Sequence, residues 1–206
     1  MNNTLDYIAR KFRLDLSQKP PIVILEATRQ VMAETLAELN FKAGAEIGVA
    51  QGHHARELCK RNPGLKLYCV DIWQPYPGYN EYQDRIVRYH REAQVRLAPF
   101  DCRFIQKFSM DAVDDFKDGS LDFVYIDGAH DFKNVAMDIC EWSKKVRIGG
   151  IVFGHDYKRS FDRGYTIQVK DVVQAYMYSH EIRPWFVLET GRNASWMFVR
   201  QETDRI

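Results

Sequence analysis

Short apolar runs alternate with amphipathic stretches over most of this chain. The runs cover 45–50, 67–73, 103–108, 121–126 and 148–153, lengths that suit buried strands better than helices. Between them, apolar residues at helical spacing predict helices near 53–60, 81–97, 110–116 and 132–146. Strands and helices taking turns in this way predict βαβ units, hence an α/β fold with a mostly parallel, doubly wound sheet and helices on both faces. The end of the chain breaks the rhythm. A helix near 167–178 leads into PWFVLET, the turn-prone GRNA and then SWMFVRQ, which reads as an antiparallel hairpin. The first forty residues look helical. Ile24, Leu25, Val31, Met32, Leu36 and Leu39 recur at roughly helical spacing, with Pro20-Pro21 separating them from the opening segment. A helical extension over 1–40 ahead of a domain over 41–206 is therefore expected.

Composition narrows the field. The chain has 206 residues with a formal net charge of +1, a balance that offers no electrostatic footprint for nucleic acid or an anionic membrane. No apolar run reaches the ~20 residues that span a bilayer. The opening MNNTLDYIARKFRLDL carries charges every few residues where a secretory signal has an apolar centre. Cys59, Cys69, Cys102 and Cys140 form no CxxC pair and read as reduced, mostly buried thiols. A cytoplasmic protein is expected, without a cysteine-based zinc site.

The first βα turn reads Glu46-x-Gly48-x-x-x-Gly52. Open α/β sheets bind ligands beyond the carboxyl ends of their strands, and glycines let backbone approach a ligand closely. A dinucleotide fingerprint started at Gly48 requires glycine at positions 50 and 53, where Ala50 and His53 stand. The next strand ends in Asp71, whose carboxylate can accept hydrogen bonds from both ribose hydroxyls of a nucleoside. Further on, two buried strands end in acid and histidine: Ile126-Asp127-Gly128-Ala129-His130 and Gly154-His155-Asp156-Tyr157. Adjacent parallel strands bring both pairs to one crevice, where packing does not explain them because buried charges are costly without partners.

ExGxxxG, the strand-end acid and the two His/Asp segments together resemble S-adenosylmethionine (SAM)-dependent O-methyltransferases. The similarity is to bacterial enzymes acting on sugars and natural products and to catechol-type enzymes. It covers about 41–157 well and the terminal hairpin in pattern only; the first forty residues carry none of it. The resemblance implies a class I, Rossmann-like, seven-stranded sheet. It implies SAM contacts at Glu46, Gly48, Gly52, Asp71, Asp127 and, beside the adenine, Ser109 and Met110. It also implies a divalent cation such as Mg²⁺ on Asp127 and Asp156. Tyr157 stands where that family has a further Asn or Asp ligand, and His155 is a substitute ligand. A lysine base of the family falls at His130, an imidazole suited to take a proton near neutral pH. His155 is the rival base, and a metal-free site with His130 working alone stays open.

The aromatic stretch Trp73, Pro75, Tyr76, Pro77, Tyr79 and Tyr82 is a candidate for closing over cofactor or acceptor, and the loop 158–165, whose Arg159 and Arg163 hint at an anionic substrate, for selecting the acceptor. The expected partner is a small hydroxylated acceptor, with no nucleic acid and no membrane, in a monomer or homodimer. The alternatives are a nicotinamide-dependent oxidoreductase, disfavoured by Ala50 and His53, and a non-catalytic SAM-binding module.

Overall fold

The structure is a computed structural model that describes residues 3–25, 27–77, 85–162, 165–189 and 193–206. Its elements run α1 (Asn3–Phe12), β1 (Ile22–Leu25), α2 (Arg29–Glu38), β2 (Ala43–Ile47), α3 (His53–Arg61), β3 (Lys66–Asp71) and α4 (Arg85–Leu97). They continue with β4 (Cys102–Gln106), α5 (Ser109–Val113), β5 (Leu121–Ile126), α6 (Phe132–Lys145) and β6 (Val146–Gly154). The chain closes with β7 (Ser160–Asp162), β8 (Tyr165–Ile167), α7 (Val169–Ser179), β9 (Trp185–Glu189) and β10 (Ser195–Val199).

The sheet has eight strands in the order β1-β9-β10-β6-β5-β2-β3-β4. Its pairings are parallel except where β10 runs antiparallel to β6 and to β9, the expected terminal hairpin. Side chains of β5 show how two-residue alternation serves both faces. Phe123 and Tyr125 face a core built with Leu36, Leu58 and Leu97 from α2, α3 and α4. Val124 and Ile126 face Ile139, Trp142 and Val173 from α6 and α7 on the other side. This is the doubly wound layering predicted from the alternating pattern. The separate β7–β8 hairpin sits in the loop after β6.

The first forty residues correct an expectation. They hold two helices, but the stretch through Ile24 and Leu25 is β1, and it extends the sheet beside β9. Ile22 and Ile24 are buried while Val23 and Leu25 are 47% and 70% exposed, a period of two that a helix cannot satisfy. β-Branched Ile22-Val23-Ile24 just after Pro20-Pro21 favours an edge strand. The helix starts only at Arg29, with the Thr28 hydroxyl accepting from the Val31 N–H as its cap. β1 is the eighth strand beside the seven expected. Among the described residues, no helix is long and apolar enough to cross a membrane.

Candidate active site

A cavity of about 550 Å³ opens at the carboxyl ends of β2, β3, β4, β5 and β6, within the size range of small-molecule sites. Sheet hydrogen bonds carry the strand register into it. Gly48 N–H donates to Val70 O at 2.9 Å, Asp127 N–H to Ile47 O at 2.8 Å, and His155 N–H to Ile126 O at 3.1 Å. Residues one step past three neighbouring strands are thus held in line. Gly48 has φ +87°, and a Cβ there would lie 2.2 Å from the Asp127 carbonyl oxygen. Only glycine permits this backbone approach.

At the β5 and β6 ends four ionisable side chains meet. His130 Nε2 lies 3.0 Å from Asp156 Oδ2 and 3.7 Å from Asp127 Oδ1. His155 Nδ1 lies 3.5 Å from Asp156 Oδ1 and 3.7 Å from Asp127 Oδ1. Asp156 holds a left-handed backbone at φ +50°, an uncommon state that turns its carboxylate back toward His130. Burial works against charge on His130, yet Asp127 and Asp156 outweigh it and raise the imidazole pKa to about 10. Burial also opposes charge on Asp156, and the two histidines overcome it, holding that carboxyl below the usual carboxylate range. That balance favours the imidazolium form of His130, which lies between the two carboxylates, over the uncharged base at neutral pH.

Asp127, His130 and Asp156 each present one ligand atom, all within 4.8 Å of one another. Sequence reasoning placed His155 in the metal set and gave His130 the base role. The group whose ligand atoms lie within 4.8 Å of one another includes His130, which the turn after β5 folds back between the two acids, and leaves His155 outside it. Two carboxylate oxygens and one imidazole suit a divalent cation of intermediate hardness.

Asp71 ends β3 facing the same cavity. Its Oδ2 accepts from Ala50 N–H at 2.8 Å and its Oδ1 from Trp73 N–H at 3.0 Å, which ties the glycine turn to the strand tip. Burial raises its pKa, and those amide bonds oppose the rise. Ser109 and Met110 line the far end. There the Ser109 hydroxyl donates to Asp138 Oδ1 and accepts from Trp142 Nε1 at 2.8 Å.

Nine of the expected site residues thus line one cavity: Glu46, Gly48, Asp71, Ser109, Met110, Asp127, His130, His155 and Asp156. Gly52 is the exception. Its φ is +74°, and a Cβ there would meet Ala93 and Leu97 of α4 at 3.1–3.4 Å, so it lets two helices approach, and it is not among the residues lining the cavity. Of the aromatic stretch, Trp73 is buried and stacked on His90, and Tyr76 reaches the cavity beside Phe108. Tyr79 and Tyr82 lie outside the described residues. Arg159 pairs with Asp171 on α7 at 3.3 Å, and Arg163 lies outside the described residues.

Among the lining residues that escaped sequence reasoning are Arg29, His54 and Asp138. Asp138 carried a readable signal, an acid on the apolar stripe Val135, Ile139 and Trp142 of α6. Arg29 and His54 carried none, since only the packing of α2 and α3 brings them to the sheet edge.

A family model described as "Methyltransferase domain" matches residues 45–157, more than half of the chain. Uncharacterized protein y4gI of Sinorhizobium fredii is 30% identical over 94 residues, which is 44% of this chain; the chain spans about a tenth of that protein's length. The solved structure of cofactor-bound Rv0187 from MTB superposes with a TM-score of 0.65 at 16% identity, covering 97% of this chain and 88% of that one. An O-methyltransferase from Bacillus cereus, solved in complex with SAH, gives 0.63 at 12% identity, covering 96% and 89%. A matched domain that spans the glycine turn, the acid ending β3 and both His/Asp segments, on a shared fold, settles the assignment: the chain belongs to the methyltransferase-domain family and has the class I, SAM-dependent methyltransferase fold.

Proposed function

We propose that this protein transfers a methyl group from SAM to a hydroxyl of a small molecule, with a divalent cation held by Asp127, His130 and Asp156. One observation carries the reading: that three-residue cluster opens into the same cavity as the Gly48 turn and Asp71. Fold alone does not choose an acceptor atom, so the choice rests on the site.

The residues fit a SAM-like cofactor. Gly48 leaves open backbone where a side chain would collide, and buried Glu46 Oε2 has no hydrogen-bond partner among the described residues. Asp71 keeps lone pairs for ribose hydroxyls beside its two amide bonds. Ser109, Met110 and Asp138 bound the adenine end. When bound, the cofactor supplies an electrophilic methyl on a sulfonium.

The donor set also fits a divalent cation, which would offset the two carboxylates and ease deprotonation of an acceptor hydroxyl. His155 then serves as the base. It lines the cavity beside both acids without being part of the ligand triangle, and the transfer requires a group that receives the hydroxyl proton as the methyl arrives.

Calorimetric titration with SAM and with NAD, each with and without Mn²⁺ or Mg²⁺, tests this. SAM binding is expected and NAD binding is not. NAD binding without SAM binding overturns the reading. Full methyl transfer in excess EDTA removes the metal from it.

A further inference from the structure

The N-terminal segment, outside the region matched by the family, places a guanidinium in the cavity. Arg29, the first residue of α2, reaches Asp127 Oδ2 at 3.3 Å, and its Cζ stands 5.9 Å from the centre of the Tyr125 ring. Its side chain is 41% exposed, and the contact with Asp127 uses one of five N–H donors. Five carboxylates line this cavity: Glu46, Asp71, Asp127, Asp138 and Asp156. Against them stand Arg29 and Lys107, and Lys107 is already bound to Asp115 at 2.7 Å. Arg29 is thus a permanent cation of the cavity with donors to spare.

A second observation points to a ligand at the same place. His54, on the first turn of α3, is buried with its ring 3.9 Å from that of Tyr125. Neither of its nitrogens has a hydrogen-bond partner among the described residues, and neither does the neighbouring Glu46 Oε2, 3.5 Å from His54 Nδ1. Unsatisfied polar groups of this kind are costly unless a ligand completes them.

Strand order then fixes which part of a ligand meets these residues. Along the sheet edge come Ser109 after β4, Asp71 on β3, Gly48 after β2 and Asp127 after β5. With adenine at Ser109 and ribose at Asp71, the amino-acid end of the cofactor extends toward β2 and β5, where Glu46, His54 and Arg29 converge.

We propose that Arg29, with His54, holds the carboxylate of the methionine portion of SAM, so that the N-terminal segment completes the cofactor site. The proposal rests on SAM being the cofactor. A planar guanidinium matches a carboxylate in two-point geometry that lysine cannot copy.

The test compares SAM with decarboxylated SAM, which keeps the nucleoside, sulfonium and ammonium and lacks only the carboxylate. Calorimetry on the wild type should show SAM preferred by roughly ten- to hundredfold, the scale of a charged hydrogen bond. Arg29→Gln should remove most of that preference by weakening SAM and sparing the decarboxylated form, and Arg29→Lys should recover part of it. His54→Gln should lower the preference less. Unchanged thermal unfolding of the ligand-free variants shows that the fold is intact. Equal weakening of both ligands in Arg29→Gln overturns the proposal, because it marks a general packing role. Undiminished preference overturns it as well. A wild type that binds neither ligand overturns the cofactor reading itself, a result distinct from any behaviour of the variants.

Discussion

His130 Nε2 lies 3.0 Å from Asp156 Oδ2, joining the segment after β5 to the segment after β6 through one side-chain pair. Asp127 completes the triangle, so a proton on His130 and a divalent cation held there would compete for the same two carboxylates. Mn²⁺ titration followed by electron paramagnetic resonance should show one bound ion in the wild type. Asp156→Asn keeps a residue that tolerates φ +50° and removes the charge. Both it and His130→Ala should weaken Mn²⁺ by more than the roughly 10–100-fold that losing an outer partner costs. Wild-type affinity in both variants rejects the metal site.

His155→Ala separates ligand from base. It should lower kcat by about 10²–10⁴-fold and leave Mn²⁺ affinity within a few-fold of wild type. If His155→Ala turns over normally while His130→Ala retains metal and loses activity, the base belongs after β5.

The two glycines of the first turn should fail differently. Gly48→Ala drives a methyl to within 2.2 Å of the Asp127 carbonyl oxygen at φ +87°, so SAM binding and Tm should both fall sharply. Gly52→Ala at φ +74° meets Leu97 and Ala93 at 3.1–3.4 Å, and should cost about 1–3 kcal/mol of stability. The folded fraction of Gly52→Ala should bind SAM normally, as calorimetry corrected for active protein will show.

Asp138 should make stability depend on pH. Burial raises its pKa from 3.8 to about 7, with the Ser109 hydroxyl pulling the other way and Asp131 adding to the rise. The folded chain therefore holds this proton more tightly than the unfolded chain. The stabilisation is complete below pH 4 and is lost as pH rises through about 7. Its upper bound is about 4 kcal/mol, from roughly three pKa units at 1.36 kcal/mol each. Urea unfolding at pH 5 and pH 8.5 should show the wild type losing stability relative to Asp138→Asn. Parallel pH profiles of the two proteins contradict this.

The sheet and much of the cavity were legible because several lining side chains sit at or just past the ends of strands that the apolar pattern already marks. Asp71, Asp127 and Asp156 follow buried runs, and parallel pairing forces such ends together. β1 was misread since four residues cannot display a period clearly, and Leu25, Met32 and Leu36 happen to fall at helical intervals. Gly52 was given to the ligand because a glycine that admits a neighbouring helix and one that admits a cofactor look alike in sequence. That His130 and not His155 sits between the two acids depends on the backbone turn at Asp156 and on how the chain folds after β5, which no spacing encodes. Arg29 lies outside every motif, and its place follows from β1 anchoring α2 at the sheet.

The amide protons of Gly48, Asp127 and His155 are committed to the central ladder. Their exchange with solvent should therefore be as slow as that of the strands beneath them, whereas ligand-binding segments ordinarily exchange fast. The floor of this site cannot open without fraying the middle of the sheet. The motion that admits and releases ligands should then fall to the roof, where the Arg29 side chain is 41% exposed.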